Sequence, residues 1–147
     1  MREILFRGKA INRDPDMGYR TNYENGDWVY GLIAAQHDDK YDRPAEMSNT
    51  DGVTGIAVDY KTISQFTGLT DKNGTKIFEG DIVEYETGKK VRIGRVFFSD
   101  FRASFSVTAG KNGSARINND LYNYIQSGNS VTVIGNIYDS PELMGGG

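Results

Sequence analysis

The chain has 147 residues, 37% hydrophobic and 25% charged, which suits one folded domain or two small ones sharing a core and excludes a disordered chain. Its formal net charge of −3 removes any global positive field that would draw it onto phosphate backbones, so a nucleic-acid role needs a local patch. It contains no cysteine, hence no disulfide, thiolate metal site or cysteine nucleophile, and no run approaches the roughly 18 apolar residues of a membrane span.

The first residues lack the charged and apolar blocks of a signal peptide, so a soluble, cytoplasmic protein with no membrane partner is expected. Eighteen glycines against three prolines predict many tight turns between short strands, hence a mainly β fold. Arg2-Glu3-Ile4-Leu5-Phe6-Arg7 is a short apolar run that Gly8 is expected to close, a first strand. Residues 12–25 are polar, with Asp14-Pro15-Asp16, and read as a loop ending in the hairpin cue Asn25-Gly26. Residues 27–34 have the aromatic and β-branched content of a second strand, and Trp28 is expected to anchor the N-terminal core. Residues 36–55 are almost wholly polar and read as a long loop. Strand character resumes at Gly55-Ile56-Ala57-Val58, whereas residues 62–66 fit a helical turn or a short strand equally well.

Residues 65–83 read as the joint between two parts of the chain, with a tight turn at Asp71-Lys72-Asn73-Gly74. Beyond it, Val83 and Tyr85 alternate with Glu84 and Glu86 in a strand with one wet face, and Thr87-Gly88-Lys89 turns the chain. Val91 and Ile93 share a face with Val96 and Phe98 only if the phase slips by one residue, which predicts a β-bulge near Gly94-Arg95. Phe101, Ala103, Phe105 and Val107 alternate strictly with polar residues and predict another strand, followed by a turn over residues 109–113. Asn118-Asn119-Asp120 can cap a short helix carrying Leu121, Tyr124 and Ile125 on one face, and residues 130–138 form the last strand before Ser140-Pro141. The expected organisation is an N-terminal β-rich part over residues 1–77, a small SH3-like barrel with one short helical turn over residues 78–144, and a tail over residues 145–147.

The stretch Thr67-Gly68-Leu69-Thr70-Asp71-Lys72-Asn73-Gly74-Thr75-Lys76-Ile77-Phe78-Glu79-Gly80-Asp81-Ile82-Val83 resembles the signature of the YopX family of bacteriophage and prophage proteins. Leu5-Phe6-Arg7-Gly8-Lys9, Gly26-Asp27-Trp28-Val29-Tyr30-Gly31, Val133-Ile134-Gly135-Asn136-Ile137-Tyr138 and Pro141-Glu142-Leu143 stand in the family's order. The resemblance implies a β-rich first part, a C-terminal SH3-type barrel and segments exchanged between subunits. It supplies no catalytic residues. Gly68, Leu69, Asp71, Asn73, Gly74, Glu79, Gly80 and Asp81 are therefore read as a structural signature.

Asp71-Lys72-Asn73-Gly74 begins like a calcium loop, but its glycine comes too early and Glu79 falls five residues after it instead of six, so a turn is expected and no metal. Glu79 and Asp81 flank one glycine, and the expectation is exposed acids at the start of a strand, with Asp81 bonding nearby N–H groups. His37-Asp38-Asp39 holds the single histidine, too few imidazoles for a common zinc site, and no phosphate-binding or nucleophile motif occurs. No catalytic residue, cofactor or enzymatic activity is expected. Lys89, Lys90, Arg92 and Arg95 form the one basic run, with Phe97, Phe98 and Phe101 behind it, and are the candidate nucleic-acid contacts. The bland reading, cross-strand pairing with Glu84 and Glu86, outweighs that one. The favoured expectation is a self-associating module that binds a phage or host protein, with a nucleic-acid-binding protein as the alternative.

Overall fold

The computed structural model describes residues 3–11, 23–35, 44–109, 115–117 and 120–144. The protein is mainly β: ten strands, one short helix and a terminal 3-10 turn among these residues. It divides into two compact units, Met1–Gln65 and Phe66–Gly147, so residues 66–77 belong with the second.

In the first unit, β1 (Phe6–Ala10), β2 (Trp28–Ala35), β3 (Ala45–Asn49) and the start of β4 (Ile56–Thr70) are antiparallel neighbours in that order. β4 also pairs with β1, so the sheet closes on itself. A bend in β4 makes this closure possible. Arg7 stands opposite Ser64 but Lys9 opposite Asp59, so β4 carries extra residues between the two pairings. The hydroxyl of Thr62 holds the bend, accepting from Lys9 N–H at 2.8 Å and donating to the Asp59 carbonyl at 2.7 Å. Ala10, Val29, Ala45, Met47, Ile56 and Val58 fill the interior.

Several expectations change here. Gly8 does not end the first strand but lies inside β1, where its Cα faces Met47 and Val58. Trp28 is not a core anchor. Strand alternation sends Val29 inward and Trp28 to the opposite face, half-buried, with the Arg7 guanidinium 4.5 Å and the Lys9 ammonium 5.0 Å from its ring. The stretch 36–55 is not one loop: residues 45–49 form β3, with Ala45 and Met47 buried against Val58 and Ile56. Residues 62–66 are strand, part of β4. The loop over 12–22, His37-Asp38-Asp39 and the turn over 110–113 lie outside the described residues, as do Asn118-Asn119 and the tail 145–147.

In the second unit, β5 (Lys76–Phe78) pairs with the end of β4. β6 (Asp81–Thr87), β7 (Lys90–Ser99), β8 (Ser104–Ala109), β9 (Ala115–Arg116) and β10 (Val131–Asn136) form a second antiparallel sheet in the order β10-β6-β7-β8-β9. The six-residue helix α1 (Leu121–Gln126) is capped by Asp120, whose carboxylate accepts from Asn123 N–H at 2.8 Å. Leu121 is buried with Val83, Tyr85, Val96, Val107 and Val131, and Tyr124 and Ile125 pack against them, as the sequence pattern predicts.

The expected bulge at Gly94-Arg95 is absent. β6 and β7 keep one register from Ile82↔Arg95 to Thr87↔Lys90, and β7 continues in register against β8. Instead of slipping phase to bury Val91 and Ile93, the strand leaves both on the face opposite the core, exposed. Gly94 answers a different need: a Cβ there would lie 2.6 Å from Val107 Cγ1 and 2.9 Å from the Thr108 carbonyl oxygen. The register shift of this sheet falls in β10, between Val133 and Gly135.

Candidate functional site

The signature stretch forms a hairpin, as its turn residues predict. The Asp71 N–H donates to the Thr75 carbonyl at 2.8 Å, and Gly74 occupies the turn at φ 81°. Asp71 does more than turn the chain. It is buried; one carboxylate oxygen accepts from Asn73 and Thr75 N–H at 2.9 Å each, and the other accepts from Val133 N–H at 2.9 Å. Lys72 N–H donates to the Val131 carbonyl at 3.1 Å. The turn thus satisfies backbone groups of β10 that would otherwise lie along a sheet edge.

The rest of the signature is equally structural. Thr67 Oγ1 donates to the Ile77 carbonyl and accepts from Leu69 N–H, bridging an irregular stretch of the β4–β5 pairing that includes Gly68. Leu69 and Ile77 pack with the core of the unit. Gly80 donates to the Val96 carbonyl and accepts from Ile137 N–H, both at 2.9 Å. Asp81 is not the exposed acid that the sequence suggests: it is buried, and its carboxylate accepts from Phe78 N–H at 2.7 Å. Burial of a carboxylate is tolerable here because peptide N–H groups replace water as donors. Glu79 is half-buried, and Asn73 is exposed at the turn. Among the described residues, no three His, Cys, Asp or Glu side chains gather into a metal-binding group.

The basic run lies at the far end of the β6–β7 hairpin, whose Gly88-Lys89 turn is closed by Thr87↔Lys90. Lys89, Lys90, Arg92 and Arg95 are all exposed. Strand alternation separates them. Lys90 and Arg92 stand opposite Thr87 and Tyr85 on the core side, while Arg95 shares the other face with Val91 and Ile93. Glu86 and Glu84 face Val91 and Ile93 across that second face.

The other end of β7 holds a feature the sequence reading missed. The strand predicted from Phe101 begins only at Ser104, and residues 100–103 are the loop of the β7–β8 hairpin, beyond the last pair Ser99↔Ser104. Phe101, expected within a strand, is 97% exposed at this tip. Ser99 Oγ accepts from Arg102 N–H at 3.3 Å, and Ala103 takes a φ of 50°, so the tip has a defined shape. Just below it, Phe98 and Phe105 pack edge to face with ring centroids 5.3 Å apart. Ser99-Asp100 was the cue available in the sequence, because both residue types favour turns.

Comparison with known proteins agrees with the signature: the YopX protein family matches residues 17–145. The chain belongs to the YopX family. It is also similar in structure to protein EF1440 from Enterococcus faecalis, with a TM-score of 0.55 and 22% sequence identity over 98% of this chain and 99% of that one. At that identity the likeness concerns the fold alone. No curated protein matches the sequence. In this YopX chain, the signature residues hold a turn, a strand edge and a strand start.

Among the described residues of this YopX protein, no helix is long and apolar enough to cross a membrane.

Proposed function

We propose that this YopX protein is a non-enzymatic, self-associating interaction module of phage or prophage origin, acting on a protein partner in the host cytoplasm. The observation that carries this reading is Phe101, a full aromatic side chain in water on a hairpin tip of defined shape. Single exposed apolar residues are ordinary, but a wholly exposed phenylalanine on a held turn is what an interface anchor looks like before its partner arrives. The non-enzymatic half is supported by where the buried acids spend their oxygens: Asp71 and Asp81 accept from backbone N–H groups. Sedimentation velocity over a concentration series tests the reading. A rising weight-average mass supports self-association, and a strict monomer at the highest concentration overturns it.

A second reading, a small nucleic-acid-binding protein, is favoured by the grouping of exposed Lys89, Lys90 and Arg92 at one hairpin end, with Arg95 further along. Its single-stranded oligonucleotide binding would weaken steeply with salt and on removing these four charges. Binding indifferent to both changes would dismiss it.

A further inference from the structure

We infer that the β4–β5 and β6–β7 turns form one cationic end of the second unit, where Lys72, Lys89 and Lys90 bind successive phosphates of a single nucleic-acid strand. This rests on the nucleic-acid reading above and changes where the strand lies: across the end of the sheet, not along β7. Lys72 is far from the basic run in sequence, and the fold brings it there. Its N–H donates to the Val131 carbonyl at 3.1 Å, so the β4–β5 turn sits against β10 where that strand begins. Val131 stands opposite Tyr85 in β6, and Tyr85 opposite Arg92 in β7. The pair Thr87↔Lys90 closes the same end two residues further out. The β4–β5 turn, the start of β10 and the β6–β7 turn are therefore side by side.

Charge at this end has one sign. Over residues 71–74, 87–90 and 127–130, the exposed charged residues are Lys72, Lys89 and Lys90. The acid among them, Asp71, is buried, and its carboxylate already accepts from Asn73, Thr75 and Val133 N–H. Glu86, the exposed acid beside the β6–β7 turn, stands opposite Val91, on the face away from Lys90. A chain of net charge −3 thus carries a local positive strip. Three steps of about 4.8 Å separate the β4–β5 turn from β7, a span of about 15 Å. That is the length of about four phosphates of a strand at about 3.4 Å each. A lipid surface would call for apolar side chains to insert beside the lysines, and these three turns hold none.

The test is fluorescence anisotropy with a labelled oligothymidine of about ten nucleotides, over a salt series. With three phosphates of a single strand engaged, log K should fall with log[salt] at a slope of about −2. Lys72→Gln, Lys89→Gln and Lys90→Gln should each weaken binding about fivefold at about 0.1 M salt and make the slope shallower by about 0.7. Arg95→Gln, on the other face of β7, should leave both unchanged. All of these positions are exposed, and circular dichroism and the thermal midpoint check folding. In the unmodified protein, amide shifts on adding the oligonucleotide should concentrate in residues 71–74 and 87–92, a readout independent of any variant. A wild type that binds no oligonucleotide, or binds it regardless of salt, overturns this inference and the nucleic-acid reading together. Binding that weakens in Arg95→Gln but not in Lys72→Gln overturns the sheet end alone, and the strand-based reading stands. Phosphatidylserine vesicles that displace the oligonucleotide and are themselves bound more tightly would assign this end to a membrane and overturn the proposal.

Discussion

The carboxylate of Asp71 reaches 62 residues along the chain to accept the Val133 N–H at 2.9 Å. The same side chain closes the turn in which it sits. One buried acid therefore does two jobs: it shapes the β4–β5 hairpin and fixes that hairpin to β10, beside the register shift between Val133 and Gly135. This accounts for the turn residues and the Asp71 charge of the family signature by what they hold together.

Replacing Asp71 with Ala should cost about 2–4 kcal/mol, because three backbone N–H groups lose a charged acceptor and Val133 N–H is left without one in a partly buried place. Asp71→Asn keeps an acceptor for only some of these donors and turns an amide N–H₂ toward another, so about half that loss is expected. Urea denaturation of the two variants checks the order. An Asp71→Ala midpoint equal to wild type would mean that the turn stands without its carboxylate.

Among the described glycines of the first unit, Gly31 in β2 lies nearest to neighbouring backbone atoms. A Cβ there would lie 1.8 Å from the Ser48 carbonyl oxygen and 2.9 Å from the Asn49 Cα, both backbone atoms of β3. No rotamer change relieves such a clash, so Gly31→Ala must push β3 away and open the closed sheet. A destabilisation of about 3 kcal/mol or more is expected. Trp28, the single tryptophan, lies in the same strand, so its fluorescence during denaturation reports the change directly.

How much of this was legible follows from how each element buries its residues. The Gly88-Lys89 turn, α1 with its Asp120 cap, and the Asp71 hairpin were all readable, because each rests on local chemistry within a few residues. β3 was not, because only Ala45 and Met47 mark its inner face. The β4 bend was hidden for a related reason: Thr62 and Ser64 are polar yet buried, and Thr62 accepts from the Lys9 N–H, which only the fold brings near. Strict alternation also misled. Phe101 and Ala103 continue the period of Phe105 and Val107, but Ser99-Asp100 starts a turn and overrides that period. The candidate site was legible as a signature and not as a mechanism, since the partner of Asp71 lies in another strand.

The cap of α1 offers a smaller, local test. Asp120 accepts from Asn123 N–H at 2.8 Å in a helix of six residues, too short to stand without its cap and its packing. Asp120→Ala should lower stability by about 1 kcal/mol, whereas Asp120→Ser, which restores a side-chain acceptor, should recover most of it. Thermal melts of the pair decide it; equal losses in both would place the contribution of Asp120 somewhere other than the cap.

Tyr85 and Tyr124 should make the stability of the second unit sensitive to alkali. Their rings meet edge to face at 6.2 Å, and the Tyr124 hydroxyl donates to the Glu86 carbonyl. Burial raises the pKa of Tyr85 above its ordinary value, with Arg92 opposing part of the rise; burial and then the neighbouring Tyr85 raise that of Tyr124. Both shifts favour the neutral phenol in the fold. The stability they contribute is fully present below the unfolded tyrosine value of about 10, and is lost as pH rises through the higher folded values. Urea midpoints should therefore be flat near neutrality and fall from about pH 9.5 upward, beyond what the exposed tyrosines impose. Tyr124→Phe removes one of the two groups and should make the alkaline fall shallower, even if it lowers the midpoint at neutral pH through loss of the Glu86 bond. An equally steep fall in Tyr124→Phe and in wild type would assign the alkaline sensitivity to other groups.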